Sequence, residues 1–453
     1  MSKRNFILLI IILAIVLVGF FAFLFSQRNI PPGEEGEGTN FLSQFNPFGN
    51  GGKKPPTTPP PPTDISGYEP NPSDILAVKL KKVSSMPIAG FTVYKKERLV
   101  DVPVPVTTTP PAETTTEETP PTTKAATETA KPTPPLTEFV SALRYVDRAT
   151  GNVYQTFADK IQERKFSTTT IPKVYEALFG NKGNSVIMRY LKGDDKTIIT
   201  FVGNLPEELL GGDTTENNEI KGAFLPEDVK DVSLLGDGSG LFYLFNVKEN
   251  AVGATLNLTN NKKVQVFVSQ FTEWLSLYPN NKIITLTTKP ASSVPGYMYS
   301  VDTSGKGLMT QVLGNIRGLT TLMSPSGKLV LYGDSGLSLG VYHTDTKVSD
   351  SVGVRTLPEK CVWGSVSDIL YCAVPTSTPS GTYPDSWYQG EVSFSDQIWK
   401  IDLATGTSTM IADPATVVGG EDIDGIKLML DAEENYLFFV NKKDSFLWEL
   451  GLK

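Results

Sequence analysis

The chain has 453 residues, with 41 Lys+Arg against 49 Asp+Glu for a net charge of −8, one histidine and two cysteines. That length exceeds one ordinary compact domain, and the acidic balance excludes a general nucleic-acid binder. A single histidine excludes a His-rich metal site, and 39 Gly with 33 Pro exclude a helical bundle.

Phe6 to Phe25 is one apolar run; about 20 such residues cross a bilayer core, so a transmembrane helix is expected there. Lys3 and Arg4 precede the run, while Arg28 is soon outweighed by Glu34, Glu35 and Glu37. This asymmetry keeps the N-terminus cytoplasmic and everything after the helix outside the cell membrane. The competing reading is a cleaved signal peptide, but the run is longer than a usual signal core and no small-x-small site follows it. Residues 1–28 are thus read as a cytoplasmic N-terminus and span. Residues 29–73 hold Lys53-Lys54-Pro55-Pro56 and the run Pro59 to Pro62 and show no hydrophobic period. They read as a flexible linker, on the order of 35–40 Å end to end.

From Asp74 onward, apolar runs of five to seven residues alternate with Gly, Asn, Asp and Ser turns, which predicts strands. Ile75 to Leu80 is a spare strand ahead of the first repeat. A Thr/Pro/Glu/Ala stretch at 107–135 cannot bury a core and reads as a disordered insertion. Later runs such as Leu329-Val330-Leu331-Tyr332 and Tyr436-Leu437-Phe438-Phe439-Val440 are apolar at odd and even positions alike. Both faces of those strands must be covered, as stacked sheets do.

A repeated unit recurs: two strands joined by a tight polar turn, then a third ending in Asp and a Thr-Gly or Ser-Gly turn. Ser324-Pro325-Ser326-Gly327-Lys328 shows the first turn; Tyr299 to Gly305, Trp399 to Gly406 and Tyr145 to Gly151 show the second. The pattern resembles the TolB-type and WD40-like β-propeller repeat, with Ser326 where that turn usually carries Asp. Phrases such as Thr170 to Leu178, Leu286 to Pro290 and Leu357 to Trp363 also look like those of uncharacterised single-pass propeller proteins of small-genome bacteria. The resemblance implies an all-β, membrane-anchored propeller and no known activity.

Counting first-plus-second strand pairs gives Ile88 to Tyr94, Val174 to Tyr190, Val232 to Phe245, Trp274 to Thr287, Leu319 to Gly333, Cys361 to Ala373 and Lys427 to Asn441. That is a seven-bladed β-propeller over 74–453, with six or eight blades as alternatives. The last unit stops one strand short, so Ile75 to Leu80 is expected to complete it and close the ring. Connectivity assigns Val102 to Glu138, Thr288 to Gly296 and Pro375 to Gln397 to second-to-third-strand loops, and Gln155 to Lys173 and Gly203 to Glu227 to blade crossings. All would share one outward face, with the closing strand entering from the other.

The 375–396 loop places Tyr383, Trp387 and Tyr388 among Pro, Ser and Gly. Such a loop either presents a binding surface or folds its rings back as a satellite core. Centring the next hairpin on Ser365 to Asp368 pairs Trp363 with Leu370 and Cys361 with Cys372. A disulfide outside the cytoplasm and two buried thiols are the alternatives. His343, on a strand, reads as an ordinary hydrogen-bonded histidine. Gly236 to Gly240 joins two strands without a helix to hold an anion. Asp194-Asp195 and Glu433-Glu434 read as solvated turns, and Asn257-Leu258-Thr259 as an incidental glycosylation sequence. No Gly-x-Ser-x-Gly elbow is present, and no metal, cofactor or catalytic residue is assigned.

The preferred function is a membrane-anchored extracytoplasmic binding or scaffold module for a protein, peptide or glycan of the cell envelope. The alternative is an envelope polysaccharide hydrolase or lyase with carboxylates at the propeller channel. The discriminating acids to inspect near first strands are Asp231 and Glu273.

Overall fold

Strands apolar at every position are buried on both sides. In the computed structural model, Leu437 through Asn441 are all buried, as are Leu329, Val330, Leu331 and Gly333. The structure describes residues 80–100, 136–212, 218–305, 308–417 and 420–453. The predicted span Phe6 to Phe25, the 29–73 linker and the 107–135 insertion lie outside the described residues. Among the described residues no helix is long and apolar enough to cross a membrane.

The described strands form seven antiparallel four-stranded sheets, each taken here from its innermost strand outward. Blade 7 is completed by β1 (Leu80–Lys82), the first strand in the chain. Blade 1 is β2 (Ile88–Leu99), β3 (Thr137–Asp147), β4 (Val153–Phe157) and β5 (Arg164–Lys165). Blade 2 is β6 (Val174–Gly180), β7 (Ser185–Leu191), β8 (Ile198–Asn204) and β9 (Lys221–Phe224). Blade 3 is β10 (Asp231–Leu234), β11 (Gly240–Val247), β12 (Asn250–Asn257) and β13 (Lys263–Ser269). Blade 4 is β14 (Trp274–Asn280), β15 (Ile283–Thr288), β16 (Pro295–Asp302) and β17 (Thr310–Arg317). Blade 5 is β18 (Thr320–Met323), β19 (Leu329–Gly333), β20 (Ser338–His343) and β21 (Ser349–Arg355). Blade 6 is β22 (Cys361–Trp363), β23 (Ile369–Pro375), β24 (Asp396–Asp402) and β25 (Thr407–Ala412). Blade 7 is β26 (Gly425–Leu430), β27 (Tyr436–Asn441) and β28 (Leu447–Gly451), then β1.

The ring closes by hydrogen bonds between the two ends of the described chain: Leu80 pairs with Leu450, Lys81 with Glu449 and Lys82 with Trp448. Of the predicted closing strand only Leu80 is described. Side-chain packing closes the ring independently. Each neighbouring pair of blades shares an apolar cluster, from Val146 with Phe179 between blades 1 and 2 to Phe438 with Tyr145 between blades 7 and 1. Burial of this kind is non-directional and scales with area, so the seven interfaces together carry the fold.

Two expectations about connectivity are corrected. The second strand of blade 1 is β3, beyond the insertion, so the segment 100–136 joins a first strand to a second, not a second to a third. The Tyr145 to Gly151 motif therefore ends a second strand. Residues 158–163 and 205–220 join the third and fourth strands of blades 1 and 2, within the segments Gln155 to Lys173 and Gly203 to Glu227 expected to be blade crossings; in the first only 166–173 crosses. In a sheet of alternating strand direction, first-to-second and third-to-fourth connections share a face with the entry of β1. The segments 100–136, 158–163 and 205–220 thus lie on the closing-strand face. The opposite face, called the entry face below because every innermost strand starts there, carries 289–294, 376–395 and the crossing 413–424. The long connections are divided between both faces, and the inferred single outward surface does not hold.

An axial pit between two carboxyl groups

The innermost strands are not evenly spread around the axis. Gly90 lets β2 lie against β6 so closely that a Cβ there would sit 1.9 Å from the Ala177 carbonyl oxygen. Lys427, at the start of β26, extends to donate to the Ala89 carbonyl oxygen at 2.8 Å. Burial pulls its pKa down. Glu176 on β6 is paired with Arg189, which also donates to the Val229 carbonyl oxygen at 2.7 Å. These contacts bring the innermost strands of blades 7, 1 and 2 together.

Across blades 3 to 6 there is a cavity of about 240 Å³. It lies at the starting ends of the innermost strands, hence on the entry face. Asp231 and Glu359 line it, together with Ser276, Thr285, Thr287, Thr320 and Thr321 and with Leu275, Leu277 and Leu322. The walls mix hydroxyl and leucine side chains because these strand starts read Thr-Thr-Leu and Leu-Ser-Leu where the outer strands are Val- and Phe-rich. Thr287 and Thr321 bond each other, oxygen to oxygen, at 2.6 Å, and Ser233 bonds Ser276 at 3.1 Å. The Thr320 hydroxyl is buried with no hydrogen-bond partner. An unpartnered buried hydroxyl is costly unless something else supplies its bond.

The two acids come from opposite ends of the cavity. Asp231 opens β10 and accepts the Ser276 backbone N–H at 2.5 Å. Burial pushes its carboxyl up to about 6, against the lowering effect of that hydrogen bond. Glu359 lies in the single turn Pro358–Lys360 ahead of β22 and accepts the Tyr388 hydroxyl through Oε1. Its Oε2 has no partner, and burial raises its pKa as well. Two carboxyls that hold protons more tightly than usual, beside hydroxyl and leucine side chains, can accept hydrogen bonds from a polar ligand or pair with a cation.

Of the acids singled out in the sequence, Asp231 is at the pit and Glu273 is not. Glu273 is exposed and paired with Lys289 at 3.3 Å. Glu359 was missed, although it holds the same place as Asp231, at the threshold of an innermost strand. Of the three loop aromatics, Tyr383 and Trp387 are 5% and 4% exposed and pack with Leu337, Leu357 and Phe394 as a satellite core. Trp387 Nε1 donates to Asp424 Oδ2 at 3.0 Å, and the Lys442 ammonium lies 4.4 Å from its ring. Tyr388, on the short helix Asp385–Tyr388, is 42% exposed and reaches the pit through Glu359.

Cys361 and Cys372 face each other across β22 and β23 with sulfurs 2.10 Å apart, and Trp363 faces Leu370. His343 bonds Asp350 of the neighbouring strand at 3.0 Å. Asp194 accepts the N–H groups of Lys196 and Thr197 within its own turn. Glu434 accepts Ser365 N–H and Tyr371 hydroxyl.

No family model matches the chain, and no curated protein matches it. Solved structures similar to it include an oligogalacturonate lyase from Vibrio parahaemolyticus, 8% identical, covering 69% of this chain and 86% of that one at a TM-score of 0.46. An oligogalacturonate lyase in complex with manganese is 9% identical, covering 69% and 85% at 0.44. TolB from Acinetobacter baumannii is 11% identical, covering 68% and 61% at 0.36. The propeller rests on the seven sheets themselves. The resemblance to anchored proteins of small-genome bacteria has no counterpart among these comparisons.

Proposed function

We propose that the chain is a membrane-anchored, extracytoplasmic binding propeller whose axial pit receives a hydrogen-bonding end of an envelope glycan. The observation that carries this reading is the pit itself: two carboxyls, five hydroxyl side chains and three leucines around a cavity of about 240 Å³. A sugar ring offers donors to Asp231 and Glu359 and acceptors to the threonine hydroxyls. Anchoring comes from the apolar run Phe6 to Phe25 and the charges around it. Titration calorimetry with soluble envelope glycan fragments tests the reading. Binding to the wild type that disappears in the Asp231→Asn, Glu359→Gln double variant is expected; equal binding by both would overturn it.

The same two carboxyls favour one second reading, hydrolysis or elimination on an envelope polysaccharide. A general acid needs a carboxyl held above its usual range, and Asp231 is one. New chain ends released from the same fragments, and lost in Asp231→Asn, separate catalysis from binding.

A further inference from the structure

Behind the aromatic loop, Lys360 is enclosed with two carboxylates. The side chains of Lys360, Asp396 and Asp424 are each 0% exposed. Nζ lies 2.7 Å from Asp396 Oδ2 and 3.1 Å from the Gly425 carbonyl oxygen, and also bonds Asp424 Oδ1. The Phe394 and Trp387 rings stand 5.3 and 5.5 Å from it. All three side chains are closed off from the surface, and the nitrogen is held against a carboxyl by these contacts.

The two acids are unequal. Asp424 also accepts Trp387 Nε1, the Ser393 hydroxyl at 3.0 Å and the Phe394 N–H at 3.1 Å. Asp396 accepts Lys360 and the Gly425 N–H, at 2.6 Å, both through Oδ2, while its Oδ1 is buried without any partner. A lone ion pair does not explain that orphan oxygen, because a buried carboxylate oxygen normally finds a donor.

We propose that Lys360 and Asp396 condense into an intramolecular amide, with Asp424 accepting the first proton. The Lys360 ammonium gives one proton to Asp424, and the freed Nζ pair attacks Cγ of Asp396. The charge that develops on Oδ2 meets the Gly425 N–H already placed there. A second nitrogen proton passes to Oδ1, which carries the acid proton; the Cγ–Oδ1 bond breaks and one water leaves. The third proton stays on the amide nitrogen, so the products are a secondary amide, one water and Asp424 as its acid. No oxidant, reductant or co-reactant is consumed. Burial pushes Asp396 up to about 6, which favours the protonated carboxyl the step needs. For Asp424, burial acts the same way but is outweighed by the Lys360 charge and its other donors, leaving the pKa lowered and the group ionised; its place as acceptor rests on the contact of its Oδ1 with Nζ, not on basicity. Holding the Lys360 nitrogen 2.7 Å from the Asp396 carboxyl oxygen replaces an encounter between separate groups. Three ionisable groups buried in an apolar shell become fewer charges, which removes part of a desolvation cost.

The product would tie the threshold of β22 to the start of β24 across β23, enclosing the disulfide hairpin and the 376–395 loop in one covalent ring. Intact mass of the purified full chain, reduced and alkylated, tests it. A mass lower by one water than that of the sequence with both cysteines alkylated is expected, with fragmentation giving a branched peptide that joins Lys360 to Asp396. The full sequence mass with both residues in separate linear peptides would overturn it, as would a branch at Asp424. Asp424→Asn keeps size and most hydrogen bonds, and it is expected to retain the full mass. Condensation of that variant at the wild-type rate would overturn the role given to Asp424.

Discussion

Ser276 places its backbone N–H 2.5 Å from Oδ2 of Asp231, joining the innermost strands of blades 3 and 4 at the rim of the pit. That single donor does not offset burial, and the Asp231 carboxyl stands at about 6 in the folded chain against an ordinary 3.8. The folded state therefore binds the proton more tightly than the unfolded one. The stability it contributes is fully present below about pH 3.8 and lost as pH rises through about 6. Glu449, buried on β28, adds a similar loss up to about pH 7. Asp194, pulled down to about 2 by the donors of its own turn, acts only in a lower window. Melting temperature of the wild type is expected to fall between pH 4 and 7, and Asp231→Asn to flatten the lower part of that fall. Equal slopes in both would contradict the assignment.

Closure makes a stability prediction of its own. A chain beginning at Val83 lacks β1 and leaves the β28 edge unpaired, along with Glu449, whose charge partner Lys81 lies 3.9 Å away. Exposed edges pair with other chains. Lower melting temperature and concentration-dependent association by light scattering are expected for the truncated protein.

The neighbours Trp387 and Tyr388 should separate stability from binding. Trp387→Ala empties the satellite core and is expected to cost about 3–5 kcal/mol in urea unfolding. It should also open 376–395 to protease. Tyr388→Phe keeps the ring but removes the hydroxyl donor to the buried Glu359 carboxyl, so a loss of about 1–3 kcal/mol in urea unfolding and a shift in ligand affinity at the pit are expected, without protease opening of 376–395.

A disulfide between Cys361 and Cys372 predicts that alkylation without reductant adds nothing to the mass, and with reductant adds two groups. A closed loop with a separation of 11 residues stabilises by about 3 kcal/mol in the chain-entropy model. Urea unfolding with and without reductant measures the difference. Two thiols alkylated in the unreduced native chain would exclude the bond.

Blade order was legible because covered strands announce themselves: the residues from Val232 to Phe245, or from Trp274 to Thr287, carry apolar side chains on both faces with one tight turn between. The Cys361–Cys372 register was legible for a related reason, since a short hairpin fixes facing pairs by arithmetic. In blade 1 the connections were misplaced because the insertion interrupts the hairpin β2–β3 and shifts every later assignment in that blade; in blade 2 the fourth strand, Lys221–Phe224, is short and exposed and carries no apolar run to announce it. Glu359 with Tyr388 and Lys360 with Asp396 were not legible. Their partners are 29 and 36 residues apart, and no local period marks a lysine that ends a polar turn as fully buried.

Site-directed photo-cross-linking in living cells most directly tests the pit as the ligand seat. A small diazirine side chain replaces Thr321 inside the pit, and in a control it replaces Val247 on β11. Envelope material attached through Thr321, absent from the control and lost with Asp231→Asn and Glu359→Gln, is the predicted result. Attachment that is equal at both positions, or unchanged when both carboxyls are neutralised, would contradict the account.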